Sequence, residues 1–156
     1  MSFSSEQKLR IVNDLYKNSC CRRALLGGIL SSKAIVLKDC IEFSLEKTEY
    51  LDFASKLISE FYGKAPEKFS PPKGGRCKIL RFDSKAAYKY LRSIETDGDL
   101  FIPKCQSCAS AYFKGVFLSC GTISDPRKQY LLEFHRKEAQ KKSLMLLPSF
   151  PFHLSL

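Results

Sequence analysis

Cysteine is the residue type whose spacing in this sequence most directly suggests chemistry. Cys20 and Cys21 are adjacent, and Cys105 and Cys108 form a Cys-x-x-Cys pair. Thiolates at such spacings bind zinc, so four sulfur atoms that met in the fold could hold one ion. The alternative is two pairs of reduced thiols, buried as small apolar side chains at the starts of helices. We favour buried thiols and expect no metal or cofactor, because no histidine supports the cluster and the two spacings differ.

Other catalytic patterns do not emerge from the sequence. His135 and His153 stand outside any His-Glu-x-x-His or Ser/His/Asp arrangement. The run Lys73-Gly74-Gly75 lacks the Lys-Ser/Thr ending of a phosphate-binding loop, so we interpret it as a turn. We therefore expect no enzyme.

Basic residues outnumber acidic ones by 26 to 16, which gives a net charge of +10. Such an excess favours a polyanionic partner, and nucleic acid is the simplest one. Arg76 and Lys78 share a face in a predicted strand, which would direct Cys77 and Ile79 into the core. The alternative is a solvated hairpin edge whose lysines prevent edge-to-edge pairing. The residues that we predict to contact DNA phosphates are Lys68, Lys73, Arg76 and Lys78.

The sequence gives no sign of export or membrane insertion. Its first ten residues lack the apolar stretch of a signal peptide, and no run approaches 18 apolar residues. We therefore expect a cytoplasmic protein with reduced cysteines and no membrane partner.

Cap and turn signals divide the chain into alternating helices and hairpins. Helices are predicted to begin with capping residues at Ser4, at Thr48, and at Asp83 or Ser84. Gly63 is predicted to end the helix that Thr48 begins. The other predicted elements are nearly uncharged helices over 20–33 and 105–120, and hairpins over 34–45, 66–82 and 122–134. Strands that come in pairs between helices predict an antiparallel α+β fold.

The two uncharged helices repeat one another at a constant offset of 87 residues. This offset relates three pairs of small residues: Ala24 and Ala111, Gly28 and Gly115, and Ser32 and Ser119. Residues four apart lie on one helical face, and a stripe of small side chains lets two backbones approach closely. We predict that these six residues form a helix–helix interface about a pseudo-twofold axis, with a hairpin after each helix.

Several segments also resemble a known family. They are residues 1–6, the Cys-Cys-Arg-Arg-Ala sequence at 20–24, and the stretch 113–126 that continues into 130–134. These segments resemble the N-terminal region of WhiA, a family of bacterial transcription regulators of sporulation and cell division. That region is similar to the LAGLIDADG homing endonucleases, whose signature helices would correspond to residues 26–34 and 113–121.

The resemblance implies an α+β fold built from a helix-hairpin-helix-hairpin-helix repeat with an antiparallel sheet. We expect an N-terminal helical arm at 1–20, a first repeat at 21–100, an incomplete second repeat at 101–135 and an atypical tail at 136–156. The apolar sequence from 143 onward is predicted to be unlike the family. Because the family's C-terminal helix-turn-helix domain is absent, we interpret the chain as a truncated product.

In the endonucleases, each signature helix ends in an acidic residue, and the two acids hold divalent metal. The equivalent positions here are Lys33 and Cys120. A lysine repels a metal ion, and a thiol is a poor magnesium ligand, so both positions are degenerate.

The resemblance therefore implies a non-catalytic, nucleoid-associated transcription regulator that binds DNA weakly, mainly through its backbone. Three alternatives remain open: a protein-interaction module, a non-functional truncated product and, as the least favoured, a residual homing endonuclease. A regulatory protein partner would fit the first of these alternatives, the protein-interaction module. Self-association is a further expectation, because the apolar tail adjoins an incomplete repeat.

Overall fold

The structure is a computed structural model that describes residues 1–37, 40–72, 74, 77–83, 85, 104–129 and 131–135. Its described helices are α1 (Phe3–Asn13), α2 (Ser19–Lys33), α3 (Thr48–Tyr62) and α4 (Cys108–Cys120). Its described strands are β1 (Ile35–Val36), β2 (Ile41–Ser44), β3 (Glu67–Phe69), β4 (Ile79–Phe82), β5 (Gly121–Ile123) and β6 (Leu132–Phe134). The predicted antiparallel α+β fold is confirmed. The helix predicted after Asp83 or Ser84 falls outside the described residues.

Helices α2 and α4 form the centre of the molecule and pack against each other along most of their lengths. Each buries ten of its residues, so neither has a broad polar face. A helix that is apolar on nearly all sides must be covered on nearly all sides. The cover for α2 comes from α3 and β2 as well as α4, while α1, β5 and β6 pack on α4.

Two glycines set the distance between these central helices. A Cβ atom added to Gly28 would lie 2.0 Å from the carbonyl oxygen of Tyr112. A Cβ atom added to Gly115 would lie 2.1 Å from the carbonyl oxygen of Leu25. The two contacts are equivalent, since 87 residues separate Leu25 from Tyr112 as well as Gly28 from Gly115. The backbones therefore touch about a pseudo-twofold axis.

The other small residues of the repeat support the same contact. Ser32 Oγ donates to the carbonyl oxygen of Gly28 at 2.6 Å, and Ser119 Oγ donates to that of Gly115 at 2.9 Å. These bonds satisfy the hydroxyls inside their own helices, so two buried serines need no polar partner across the interface. Ala24 and Ala111 are also buried, at 3% and 0% exposure.

The larger sheet covers α2 and has the strand order β1-β2-β4-β3 in the described part of the chain. Its two central strands pair so that Ile41 faces Phe82 and Phe43 faces Leu80. All four of these side chains are buried. Since side chains alternate along a strand, this pairing fixes which face of the sheet meets the helices.

The predicted orientation of the residues around β4 was wrong. Cys77 is exposed and Ile79 is half-buried, whereas Leu80 and Phe82 point into the core. The reason is the alternation itself: Ile79 shares its face with Arg81, whose charge must remain in water. Leu80 and Phe82 together bury more apolar surface than Cys77 and Ile79 would.

The smaller sheet, β5 with β6, follows α4 and pairs Gly121 with Phe134. It meets the N-terminal helix, because the Ile123 N–H donates to Ser4 Oγ at 3.4 Å. The prediction that Ser4 caps α1 was wrong. The capping residue is Ser2, whose Oγ accepts a hydrogen bond from the Ser5 N–H at 3.2 Å. The cap of α3 was also wrong, because Lys47 precedes the helix and Thr48 lies in its first turn.

Gly63 ends α3 as predicted, in the left-handed conformation with φ of 71°. Among the described helices, none is long and apolar enough to cross a bilayer.

The close contact gives a first prediction. Gly28→Ala or Gly115→Ala should lower the free energy of unfolding by about 1–3 kcal/mol, because the new methyl group meets a main-chain carbonyl that cannot move aside. On an uncrowded helix the same change would instead stabilise by about 1 kcal/mol, since alanine is the better helix former. Urea denaturation measures the difference. A stabilised variant at either position would show that the helices do not touch there.

Candidate nucleic-acid interface

The C-terminal ends of α2 and α4 lie side by side, because the two helices run in the same direction along their contact. Near this end, Ser119 Oγ lies 3.5 Å from the carbonyl oxygen of Ile29. Lys33 is the last residue of α2, and Cys120 is the last residue of α4. Both helices lead almost directly into strands, so this end of the pair also anchors the two sheets.

A groove of about 200 Å³ opens beside Lys33, between the larger sheet and the β5–β6 hairpin. Its lining includes Lys33 from α2, Glu42 and Ser44 from β2, and His135 after β6. The His135 N–H donates to the carbonyl oxygen of Cys120 at 2.8 Å, which fastens this end of the hairpin to α4. We call this feature the inter-repeat groove, because its walls come from both repeats.

The two positions where the resemblance places metal-holding acids carry no carboxylate. Lys33 is exposed. Cys120 is 6% exposed, and its thiol donates to the carbonyl oxygen of Val116 at 3.4 Å. Within the described residues, one group of side chains is close enough to share a metal ion. It consists of four cysteines and lies away from this groove. The groove is therefore lined by the Lys33 cation and by the Glu42 carboxylate, which is paired with Arg81, while Cys120 lies outside its lining.

Asp125 follows β5 and lies in the turn between β5 and β6, where its carboxylate pairs with Arg127. Arg127 donates to its carboxylate through Nε at 3.1 Å and through a terminal nitrogen at 2.8 Å. The Arg127 side chain and main-chain N–H lower the pKa of Asp125 to about 2. Asp125 thus stabilises the hairpin turn and offers little to a metal.

Arg81 was missed as a candidate, although it is the clearest cation on the outer face of the larger sheet. Its guanidinium binds Glu42 of the neighbouring strand, with Nε 2.6 Å from the carboxylate, and lies 4.6 Å from the centre of the Phe69 ring. The alternation of side chains along β4 could have identified it, because Arg81 and Leu80 are adjacent and must point to opposite faces of the sheet. An arginine already paired in this way carries little free positive charge.

Lys68 lies on the opposite side of the sheet from Arg81. Its register partner is the inward-facing Leu80, and its ammonium group binds the carboxylate of Asp52 on α3. Contact with a phosphate on the outer face would require this ion pair to break. Lys68 is therefore a poorer phosphate ligand than the sequence predicted.

Lys78 is exposed immediately before β4, and its carbonyl oxygen accepts from Ser44 Oγ at 2.9 Å. This bond places Lys78 next to one wall of the inter-repeat groove, which Ser44 lines. The remaining predicted phosphate ligands, Lys73 and Arg76, fall outside the described residues. Of the predicted phosphate ligands that the structure describes, Lys78 is thus the one next to the groove that Lys33 lines.

Known proteins resemble this chain in sequence and in fold. The family described as the WhiA LAGLIDADG-like domain matches residues 109–155. Over its whole length, the chain is 27% identical to the "Probable cell division protein WhiA" of Caldicellulosiruptor saccharolyticus and 30% identical to that of Caldicellulosiruptor bescii, and it covers 55% of each. The solved N-terminal LAGLIDADG domain of DUF199/WhiA matches 96% of the chain with a TM-score of 0.70 at 20% identity, over 74% of that structure.

The chain resembles the N-terminal LAGLIDADG-like region of WhiA. Full-length DUF199/WhiA from Thermotoga maritima gives the same result, with a TM-score of 0.66 at 20% identity over 96% of the chain and 51% of that structure. At such identity a structural match establishes the fold, and the predicted LAGLIDADG-like fold is confirmed. The chain spans about half the length of the curated WhiA relatives that it matches.

The family match also corrects the prediction about the tail. Because the match runs to residue 155, it includes nearly all of the apolar segment that begins at 143. The expectation that this segment is unlike WhiA was wrong. Apolar residues without an obvious motif carry little family signal when they are inspected one sequence at a time. The predicted domain boundaries themselves stay predictions.

The turn at Asp125 gives a second prediction. Since its folded pKa is below the unfolded value, Asp125 contributes stability at neutral pH that is lost as the pH falls from about 4 toward 2. Arg127→Ala should return the pKa of Asp125 toward its ordinary value, as measured by NMR titration of the carboxyl carbon. Lys128→Ala is the control, because Lys128 acts only through weaker long-range attraction. A carboxyl that still titrates near 2 without Arg127 would contradict this assignment.

Proposed function

We propose that this chain binds DNA without cleaving it, as part of a WhiA-type transcription regulator in sporulation and cell division. The curated relatives are named for cell division, and the resemblance to WhiA supplies the link to transcription and sporulation. The observation that carries the proposal is the inter-repeat groove, which has Lys33 at its edge in place of a metal-binding acid.

The groove and its surroundings suit a phosphate backbone better than a base edge. Lys33 and Lys78 end in mobile ammonium groups, which neutralise phosphates but specify little sequence. The net charge of +10 adds long-range attraction to any polyanion. Binding through such contacts is weak, tolerant of sequence and strongly dependent on salt.

The same positions argue against cleavage. Metal-assisted hydrolysis of a phosphodiester needs a hard cation, held by oxygen ligands, to activate water and stabilise the leaving oxygen. An ammonium group at Lys33 repels such a cation, and the Cys120 thiol is directed to a main-chain carbonyl. A bound duplex would therefore meet the positive charge of Lys33 but no pair of carboxylates at these two positions to hold a metal ion.

A protein partner is the second candidate function, and the outer edge of the larger sheet favours it. Strand β1 is only two residues long and lies at the edge of the described sheet. Ile35 and Leu37 are 48% and 41% exposed there. An unpaired edge with exposed apolar side chains can accept a strand from another chain.

Duplex affinity measured against salt concentration tests the proposal. We expect log affinity to fall linearly with log salt, with a slope of about −0.9 for each phosphate contact. The double variant Lys33→Ala with Lys78→Ala should flatten that slope by up to about two units. Lys56→Ala, which removes one positive charge from the exposed side of α3, should leave the slope nearly unchanged, whereas each of the two groove substitutions should flatten it by up to about one unit. Undetectable binding even at low salt would favour the protein-partner function instead.

Plasmid nicking with magnesium or manganese tests the absence of cleavage. We expect supercoiled plasmid to stay intact with the unmodified chain. It should also stay intact with Lys33→Asp, since Cys120 still leaves a metal one carboxylate short. Metal-dependent nicking by the unmodified chain would overturn the non-catalytic assignment while leaving DNA binding in place.

A further inference from the structure

Four cysteine sulfur atoms meet at the N-terminal end of the central helix pair, opposite the inter-repeat groove. Cys21 Sγ is 3.4 Å and Cys20 Sγ is 3.6 Å from Cys105 Sγ, which is 3.5 Å from Cys108 Sγ. All four atoms lie within 4.8 Å of one another. Cys21 and Cys108 are buried, and the other two are half-buried. Two separate pairs of thiols were expected from their spacing in the sequence, and the fold joins them in one cluster.

The helix contact described above produces this convergence. Because α2 and α4 run in the same direction and touch at Gly28 and Gly115, their first turns are held together. Cys20 and Cys21 lie in the first turn of α2, and Cys108 is the first residue of α4. Cys105 precedes α4 in a turn closed by the Cys108 N–H, which donates to the Cys105 carbonyl oxygen at 3.2 Å.

The separations match those around one tetrahedral ion. A zinc–sulfur bond of about 2.3 Å places tetrahedral ligand atoms about 3.8 Å apart, within the range found here. The Cys105-x-x-Cys108 turn has a spacing common in structural zinc sites. A multi-iron cluster would need more room between its thiolates than this group provides.

The N-terminal ends of the two helices favour negative charge at this cluster. Neither α2 nor α4 has an acidic residue in its first turn, so the positive ends of both helix dipoles face the cluster without a carboxylate. Contacts from the Cys21 and Cys108 thiols lower the pKa of Cys105 to about 7, whereas the pKa of Cys20 is raised by its contacts with Cys108 and Cys105. Burial raises the pKa of the Cys21 thiol.

We propose that Cys20, Cys21, Cys105 and Cys108 bind one zinc ion. The ion would allow all four thiols to ionise, as zinc sites with four cysteines do, and would release their protons on binding. It would also join residues 84 positions apart, and a clip that closes so long a loop stabilises the native fold by restricting the unfolded chain. The role is structural, because all four ligands come from the protein and no position is left for water.

Metal analysis of the full chain tests the site. We expect one zinc per chain after purification with zinc present and extensive dialysis. Replacement of zinc by cobalt should give the intense visible absorption of tetrahedral cobalt bound to sulfur. Cys105→Ser and Cys108→Ser should lose stoichiometric metal. Cys77→Ser is the matched control and should keep it, since Cys77 is exposed and outside the cluster.

A second measurement uses the unmodified chain, so that the proposal can be tested even if the cysteine variants fail to fold. Removal of zinc by a strong chelator should lower the melting temperature and expose the four thiols to alkylation, and added zinc should reverse both changes. Cys77 should react equally with and without zinc. A metal-free chain whose thiols stay reactive with equimolar zinc would overturn the proposal. A disulfide within the cluster of the reduced, zinc-supplied protein, or equal metal loss in Cys77→Ser, would overturn it as well.

Discussion

The described helices and sheets are arranged around main-chain contact between α2 and α4. Gly28 and Gly115 allow carbonyl oxygens of the facing helix to occupy the space that a Cβ atom would need. The contact is dictated by size rather than by chemical attraction, since glycine contributes only the absence of a side chain. Apolar residues on the remaining faces then recruit α1, α3 and both sheets as cover.

One helix pair thus places two chemically different sites at its two ends. The thirteen residues from Cys21 to Lys33 rise about 18 Å along the axis of α2, so the sulfur cluster and the inter-repeat groove are separated by the length of the core. Sulfur ligands at the positive helix ends suit a soft structural metal, and a lysine at the negative end of α2 suits both the helix dipole and an anionic partner. Changes at one end can therefore be made without touching residues of the other.

The sequence predicted the helix pair and the hairpins well, because each leaves a local or periodic signal. The offset that relates Gly28 to Gly115 is visible without coordinates, and so are the turns between paired strands. The convergence of the four cysteines was not predicted, because their spacing differs between the repeats. Only the packing of α2 against α4 shows that all four sulfur atoms meet. The buried face of β4 was predicted wrongly, because Cys77 and Ile79 were placed in the core although Ile79 shares its face with the charged Arg81. Lys68 could not be placed, because its partner Asp52 belongs to a different element.

The distance in sequence between the two central helices has a consequence for biosynthesis. During translation, α2 is complete long before α4, and its contact surface has no partner until the ribosome has delivered residues up to 120. Long-range contacts of this kind raise contact order and delay cooperative folding. The nascent first repeat must therefore carry the exposed apolar face of α2 for most of its synthesis, which makes it a natural client for a chaperone.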